Sequence, residues 1–540
     1  MRLRPAPAKP VPAVKPREMR SMPMQAVPAV TPSPALIERA ADRFTQLLGT
    51  DAVHREGRNL AEFRDPFEGP AATAHQPSFV IQPETVEQVQ AAVRIAAELG
   101  VHLWTSSMGR NFGYGGSAPA VSGGIVLNLR RMNRILDIDA KQGFALIEPG
   151  VTFHRLYEEL RAQDAPLMMS VPDLGWGSII GNALEHGYGY NVHGDHASAL
   201  CGLEAVLADG TLLRTGQGAI SNSPVWSCHR RGFGPSLDEL FKQSNFGVVT
   251  KAGLWLMPRP ETIVTGTIRC EGDGDIVPMI DMLRRLMHEG VLQGVPMIVG
   301  TPADTENEEA GNGAFTMRNL RQVLRPGRWN ARIGLYGPAR MVEARRALLE
   351  EACATLPGAV LELRTYSGEA GPDEVEPRDL ISAGIPNQVL LERLHGIFGP
   401  RIGHMDFSPV LPFTGEAALK AEALVRETLD RYGLVGPFGL LLTGRSMVSA
   451  SMILFDTADA EQVETTRNAV REMYDRAAEW GCTGYRAHVS LVDHVAAKFD
   501  FNDHALGKIY ARLKQAFDPA GILSPGNHGI WPAGQSSRDG

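Results

Sequence analysis

Two glycine-rich stretches restrict this chain more than anything else in it. The first is Ser106-Ser107-Met108-Gly109-Arg110-Asn111-Phe112-Gly113-Tyr114-Gly115-Gly116-Ser117. The second is Ser170-Val171-Pro172-Asp173-Leu174-Gly175-Trp176-Gly177-Ser178-Ile179-Ile180-Gly181-Asn182, running on to Gly187-Tyr188-Gly189-Tyr190. Glycine loses the most backbone entropy on ordering, so such runs are a poor choice for regular elements. What they offer is close backbone approach, and successive turn amides that form a concave anion site. Each stretch alone also describes a turn without a ligand, and Asp173 alone a turn residue. Two of them within one segment point to one extended ligand. No amphipathic helix begins directly after Gly116, which argues against the usual nicotinamide-binding turn.

The surrounding pattern supplies a frame. Phe79-Val80-Ile81 reads as a strand and Pro83-Glu84-Thr85 as a helix start; Val86, Val89, Ala92, Val93 and Ala96 recur at helical spacing up to Gly100. Val101–Trp104 is the next strand, which makes a β-α-β unit feeding the first glycine stretch. Strands follow at Gly124–Leu129 and Phe144–Glu148, a helix at Phe153–Gln163, and a hairpin of Leu203–Ala208 with Thr211–Thr215 about Asp209-Gly210. Beyond Pro258 and Pro260 the style changes. Longer helical periods (Ile276–Glu289, Ala339–Leu356, Ala417–Tyr432) alternate with runs such as Ala331–Tyr336. A boundary near 260 therefore divides the chain into 35–260 and 261–500. A last segment, 501–540, holds a helix at Ala505–Phe517. Residues 1–34, rich in Pro and Ala and ending where Ser33–Leu48 turns helical, read as a disordered leader.

Composition excludes several classes. A chain of 540 residues with 44% hydrophobic and 21% charged residues has material for two large globular cores. Its net charge of -8 provides no footprint for nucleic acid or an anionic membrane. Prolines interrupt every candidate signal-peptide core in the leader, and no apolar run approaches the roughly 20 residues that span a bilayer. The 5 cysteines, an odd number without a C-x-x-C pair, suggest a reducing compartment, and the cytoplasm is the expected location.

The two glycine stretches, with Gln243-Ser244-Asn245-Phe246-Gly247-Val248-Val249-Thr250-Lys251 and Asp518-Pro519-Ala520-Gly521-Ile522-Leu523-Ser524-Pro525-Gly526, resemble the vanillyl-alcohol oxidase family of flavoproteins from about Pro77 to Pro532. Trp176 inside its glycine turn is similar to the bacterial eugenol-oxidising members. The resemblance implies an α+β, two-lobed FAD-binding fold: an FAD lobe closed by the C-terminal tail, and a substrate cap. It places FAD against Ser106, Ser107, Met108, Gly109, Arg110, Asn111, Pro172, Asp173, Gly177, Ser178, Gly181, Asn182, Gly247 and Val249. In Gly403-His404-Met405-Asp406-Phe407-Ser408-Pro409-Val410 it implies a covalent flavin bond to His404, where related hydroxylases use tyrosine. It assigns the phenolic oxygen to Tyr114, Tyr485 and Arg486, the benzylic proton chemistry to Asp173, and a pocket position to Tyr190.

The activity so implied is oxidation of 4-alkylphenols, 4-allylphenols and 4-hydroxybenzyl alcohols. Dioxygen is the electron acceptor and a homodimer or larger assembly is expected. A dehydrogenase passing electrons to a cytochrome, and a flavin-free binding protein of the same fold, remain as alternatives. The apolar run Gly439-Leu440-Leu441-Leu442 favours alkyl or allyl substituents. This chain departs from the family at Tyr190-Asn191-Val192-His193-Gly194-Asp195-His196, at Asn527 where lysine is common, and in Ala219–Gly234. His193, Asp195 and His196 have no complementary set that would make a metal site.

Overall fold

The computed structural model describes residues 32–56, 58–69, 74–301, 311–324 and 326–535. The expected leader lies outside them except at its end, and there it needs correcting. Pro34 opens the helix Pro34–Leu48, and Ser33 caps it by accepting the Leu36 N–H at 3.3 Å. Proline suits that position because a first-turn N–H has no helical partner.

The β-α-β unit is Phe79–Ile81, Val86–Leu99 and Leu103–Ser106. Thr85 accepts the Gln88 N–H, left-handed Gly100 ends the helix, and Val86, Val89, Ala92, Val93 and Ala96 are its buried face. The second strand starts later than its apolar run because the Val101 N–H is still bonded to Ala96 O of the helix end, at 3.1 Å. Ile125–Asn128 lies parallel to both strands, and Val53–His54 completes a four-stranded sheet. The first glycine stretch leaves the carboxyl end of Leu103–Ser106, where open parallel sheets hold their ligands.

A second, five-stranded sheet has the order Ile135–Asp139, Phe144–Ile147, Val248–Trp255, Leu200–Val206 and Leu212–Arg214. Its hairpin strand stops at Val206, since Gly210 N–H bonds Leu207 O and draws Leu207 and Ala208 into the turn.

After Met257–Pro258 the chain enters a seven-stranded antiparallel sheet. Its order is Val360–Ser367, Thr262–Cys270, Trp329–Gly337, Met297–Gly300, Phe438–Leu442, Ser446–Ser449 and Val410–Pro412. Helices Ile276–His288, Ala339–Cys353, Gly415–Tyr432 and Ala460–Ala478 contribute to the largest hydrophobic core, together with this sheet's buried side chains. The helix expected to reach Leu356 ends at Cys353. Its last residues tighten into a turn with Thr355 and Leu356 N–H bonded three residues back.

The C-terminal segment returns to the first sheet. Phe501–Phe517 begins with Asn502, Asp503 and His504 in left-handed conformation, so the right-handed helix follows the expected Ala505 start. Leu103 N–H then bonds Ile522 O at 2.8 Å and Ser524 N–H bonds Leu103 O at 2.7 Å. The clasp is held by a buried ion pair, Lys514 Nζ to Asp518 Oδ2 at 2.8 Å, both side chains at 0% exposure. Lys514 also donates to Asn245 O (2.8 Å) and Leu523 O (2.6 Å), while Asp518 accepts the Ile522 and Leu523 N–H groups. Burial pushes the Lys514 pKa down, and Asp518 opposes that shift. Among the described residues no helix is long and apolar enough to cross a membrane.

Removing one member of such a pair leaves a buried unpaired charge. Lys514→Met should lose about 3–5 kcal/mol of stability. A denaturant midpoint equal to that of the unmodified protein would contradict this role.

Candidate active site

The first glycine stretch is shaped by its own backbone bonds. Gly116 N–H reaches Asn111 O at 2.9 Å, Gly115 N–H reaches Phe112 O at 3.0 Å, and Gly109 takes a φ of +66°. Buried Asn128 anchors its start by donating to Ser106 Oγ at 3.0 Å. Among the described residues the peptide N–H groups of Met108, Gly109, Arg110 and Asn111 donate to no protein acceptor. In the second stretch Ser178 caps the short helix Ile179–Leu184, accepting Gly181 N–H at 2.8 Å and donating to Pro149 O at 2.6 Å. The two stretches touch: a Cβ on Gly181 would lie 2.2 Å from Ser107 Oγ.

Together they wall a cavity of about 460 Å³. Each residue expected to hold FAD lines it except His404: Ser106 through Asn111, Pro172, Asp173, Gly177, Ser178, Gly181, Asn182, Gly247 and Val249. The run of free amides is the chemistry a pyrophosphate requires, and the glycines leave room for its approach. The residues present fit FAD.

Tyr114, Asp173, Tyr190, Tyr485 and Arg486 line the same cavity. Arg486 is 8% exposed. Its Nη2 donates to Asn182 O at 3.2 Å and its Nε to Glu185 O, both at the C-terminal end of Ile179–Leu184. Its guanidinium carbon lies 5.3 Å from the Tyr114 ring centre and 5.5 Å from that of Tyr485. Burial works against the charge of Arg486, but Tyr485, Tyr114 and Glu185 outweigh it and the pKa is raised. Burial also keeps Tyr114 well above the ordinary tyrosine value, so its hydroxyl is a donor. The main chain of Tyr485 is fixed by Gln243 Nε2 on its carbonyl (2.7 Å) and by its own N–H on Ser408 O (3.1 Å).

Asp173 is held from two sides. The Tyr190 hydroxyl donates to one carboxylate oxygen, and Arg332 donates to the other from Nη1 (3.3 Å) and Nη2 (3.2 Å). The Arg332 guanidinium lies 3.8 Å from the Tyr190 ring centre. Arg332 falls inside the run Ala331–Tyr336, whose pattern marks it only as part of a strand. The available signal was an arginine inside the otherwise apolar run Ala331–Tyr336, where a charge needs a buried partner.

His404 does not line the main cavity. It faces an adjoining one of about 360 Å³ that shares Arg110, Asn111, Tyr114, Trp176 and Asp406 with it. The strand Ile402–Phe407 puts His404 and Asp406 on one face, and His404 Nδ1 is 2.9 Å from Asp406 Oδ1. A Cβ on Gly113 would lie 2.5 Å from His404 Cε1, so glycine is what lets the imidazole sit there. In the neutral imidazole, donation of Nδ1–H to Asp406 leaves the lone pair on Nε2. Asp406 is a site residue the sequence reading missed, although the His-x-Asp spacing on a strand signals it.

Asp195, His196 and Asn527, in two of the departures, have structural partners. Asp195 caps His196–Ala199 through the Ser198 N–H, and His196 Nδ1 meets Asn182 Oδ1 at 2.7 Å. Burial pushes the pKa of His196 down to about 4. Among the described residues no group of three or more His, Cys, Asp or Glu is placed to hold a metal. Asn527 lines the cavity and donates to Ser244 O at 3.2 Å.

Fold and site thus describe a flavin-dependent oxidoreductase, and comparison with known proteins agrees. An FAD-binding domain model matches residues 77–216, and the C-terminal domain model of FAD-linked oxidases matches 414–528. The flavoprotein subunit of 4-cresol dehydrogenase (hydroxylating) from Pseudomonas putida is 31% identical over 91% of this chain and 95% of that protein. The structure of 4-ethylphenol oxidase from Gulosibacter chungangensis, in complex with isoeugenol, superposes with TM-score 0.86 at 33% identity, covering 94% of this chain and 99% of that one. Substrate-bound p-cresol methylhydroxylase gives TM-score 0.83 at 29% identity, covering 94% and 99%. The chain belongs to the vanillyl-alcohol oxidase and p-cresol methylhydroxylase family.

Gly109→Ala would put a side chain at a positive φ and 2.0 Å from Ser117 Oγ. Such strain, of roughly 1 kcal/mol or more, disfavours the loop shape that walls the cavity, so the share of purified protein that carries flavin should fall. The ratio of 450 nm to 280 nm absorbance in purified protein, at fixed added FAD, checks it.

Proposed function

We propose that this protein oxidises para-substituted phenols: 4-alkylphenols, 4-allylphenols such as eugenol, and 4-hydroxybenzyl alcohols. The observation that carries the reading is the buried Arg486 guanidinium between Tyr114 and Tyr485, in one cavity with Asp173 and the free amides of the first glycine stretch. Residues 35–260 with the 501–540 segment hold the cofactor, and 261–500 cover the substrate.

A free phenol has a pKa of about 10. A buried cation beside its oxygen, with Tyr114 and Tyr485 hydroxyls as donors, favours the phenolate. Charge pushed into the ring lets the benzylic carbon leave its hydride behind and become part of a neutral quinone methide, which replaces a costly benzylic cation. When bound between the two glycine stretches, FAD would supply the hydride acceptor, with dioxygen as the final acceptor of the electron pair and hydrogen peroxide as its product. Asp173, steadied by Tyr190 and Arg332, takes the proton from an alcohol substrate or from water adding to the quinone methide. His404 would hold FAD through a bond from its imidazole to the flavin 8α-methyl carbon; in the neutral ring, Asp406 on Nδ1 supports this by leaving the lone pair on Nε2. The cytoplasm suits a chain whose 5 cysteines are all unpaired.

A second reading, electron delivery to a cytochrome, is favoured by the likeness to 4-cresol dehydrogenase. Aerobic turnover of 4-ethylphenol or eugenol should consume oxygen and form peroxide in equal amounts. Anaerobic bleaching of the flavin with no oxygen uptake in air would select the dehydrogenase. Acid-precipitated protein should keep its flavin fluorescence on a denaturing gel, and His404→Ala should lose it.

Arg486→Met should lower kcat/KM by about 10²–10³. The residual rate should climb toward a pH of about 10, because the substrate must then ionise unaided. An unchanged pH profile would remove Arg486 from this role.

A further inference from the structure

A second cavity of about 200 Å³ opens off the main one, and the two share Asp173, Met297, Leu390, Ala450 and Met452. Past Asp173 and its partner Arg332 the walls are mostly apolar, with Leu320, Val323, Ile381, Phe438 and Leu454 buried along them and Asn330 and Asn387 as polar exceptions. The volume far exceeds the ~10–15 Å³ that one water needs, yet such walls give water few partners. At its outer rim stand Arg378 and Arg393, both exposed. Asp173 is the only carboxylate lining the cavity among the described residues, and Arg332 and Tyr190 already hold it. Arg393 donates to the backbone carbonyl of Gln322 at 3.3 Å, and among the described residues no carboxylate lies within ion-pair distance of it.

We propose that this cavity is a subsite for a para substituent that ends in a carboxylate. The inference rests on the main cavity being the phenol pocket. With the ring oxygen at Arg486 and the benzylic carbon at Asp173, a longer substituent has a mostly apolar passage ahead of it and cationic groups at the end. Low-dielectric walls focus the field of the rim arginines along that passage. The fixed charge of Asp173 repels an anion held close to it, so the carboxylate must stand several carbons from the ring. The subsite thus selects phenols with a short aliphatic chain and a terminal carboxylate over 4-hydroxyphenylacetate. The redox step is unchanged: the benzylic carbon loses a hydride, the phenol its proton, and the tail carboxylate takes no part.

The test compares 4-(4-hydroxyphenyl)butanoate with 4-butylphenol on the FAD-loaded full chain. Arg378→Gln/Arg393→Gln should reduce the kcat/KM ratio of butanoate to butylphenol by about three- to tenfold, the range expected of two rim ion pairs. In the unmodified protein, raising salt from about 0.05 to about 0.5 M should raise KM for the butanoate alone, because screening weakens only the charged contact. A ratio unchanged in the double variant, or turnover of 4-butylphenol with none of the butanoate, would overturn the subsite. Failure of the unmodified protein on 4-ethylphenol would instead sink the phenol reading. Calorimetric binding of the butanoate to both proteins then still decides the subsite, which falls if the double variant binds it equally well.

Discussion

The site is organised around one buried cation. Arg486 loses its hydration on folding, and that cost must be met by groups already in place. The carbonyls of Asn182 and Glu185 meet it, at the C-terminal end of Ile179–Leu184 where carbonyls lack helical partners and a positive charge is favoured. The other end of the same short helix is capped by Ser178 on the cofactor side of the cavity. A single turn and a half of helix therefore sets the distance between the buried charge of Arg486 and the cavity wall that carries Ser178.

That helix is in turn located by glycine. Gly181 stands so close to Ser107 that no side chain fits between them, which joins the second glycine stretch to the first. The first is carried by Leu103–Ser106, and that strand is locked by the returning tail through Ile522, Ser524 and the Lys514–Asp518 pair. Residues more than 400 positions apart thus hold the loop whose amides remain free. A clasp of buried charge and backbone bonds suits this task, because the loop itself contributes few apolar contacts that could order it.

The seven-stranded sheet reaches into the site through Arg332, which binds Asp173 across the seam between the two halves of the chain. Asp173 thereby belongs to both halves, and its orientation depends on their being closed on each other. The same strand pairing places Met297 opposite Arg332, at the junction of the main and side cavities.

Local pattern was enough for much of this. The helix Val86–Leu99, the strands around it, the two glycine stretches and the change of style after Pro258 are all written in short-range periodicity and turn residues, which act over a few positions. The likeness of ordered motifs to a flavoprotein family supplied Tyr114, Asp173, Tyr190, Tyr485 and Arg486, and all of them line one cavity. What only the tertiary structure decided were partners across long separations: Arg332 with Asp173, Lys514 with Asn245 and Asp518, and His404 in an adjoining cavity with Asp406 on Nδ1. Such pairings carry no local signature, because a buried charge demands a counter-charge of some kind without specifying where in the chain it comes from. The paired glycine stretches announced that an extended ligand would be held; packing Gly181 onto Ser107 is what makes them two walls of one site.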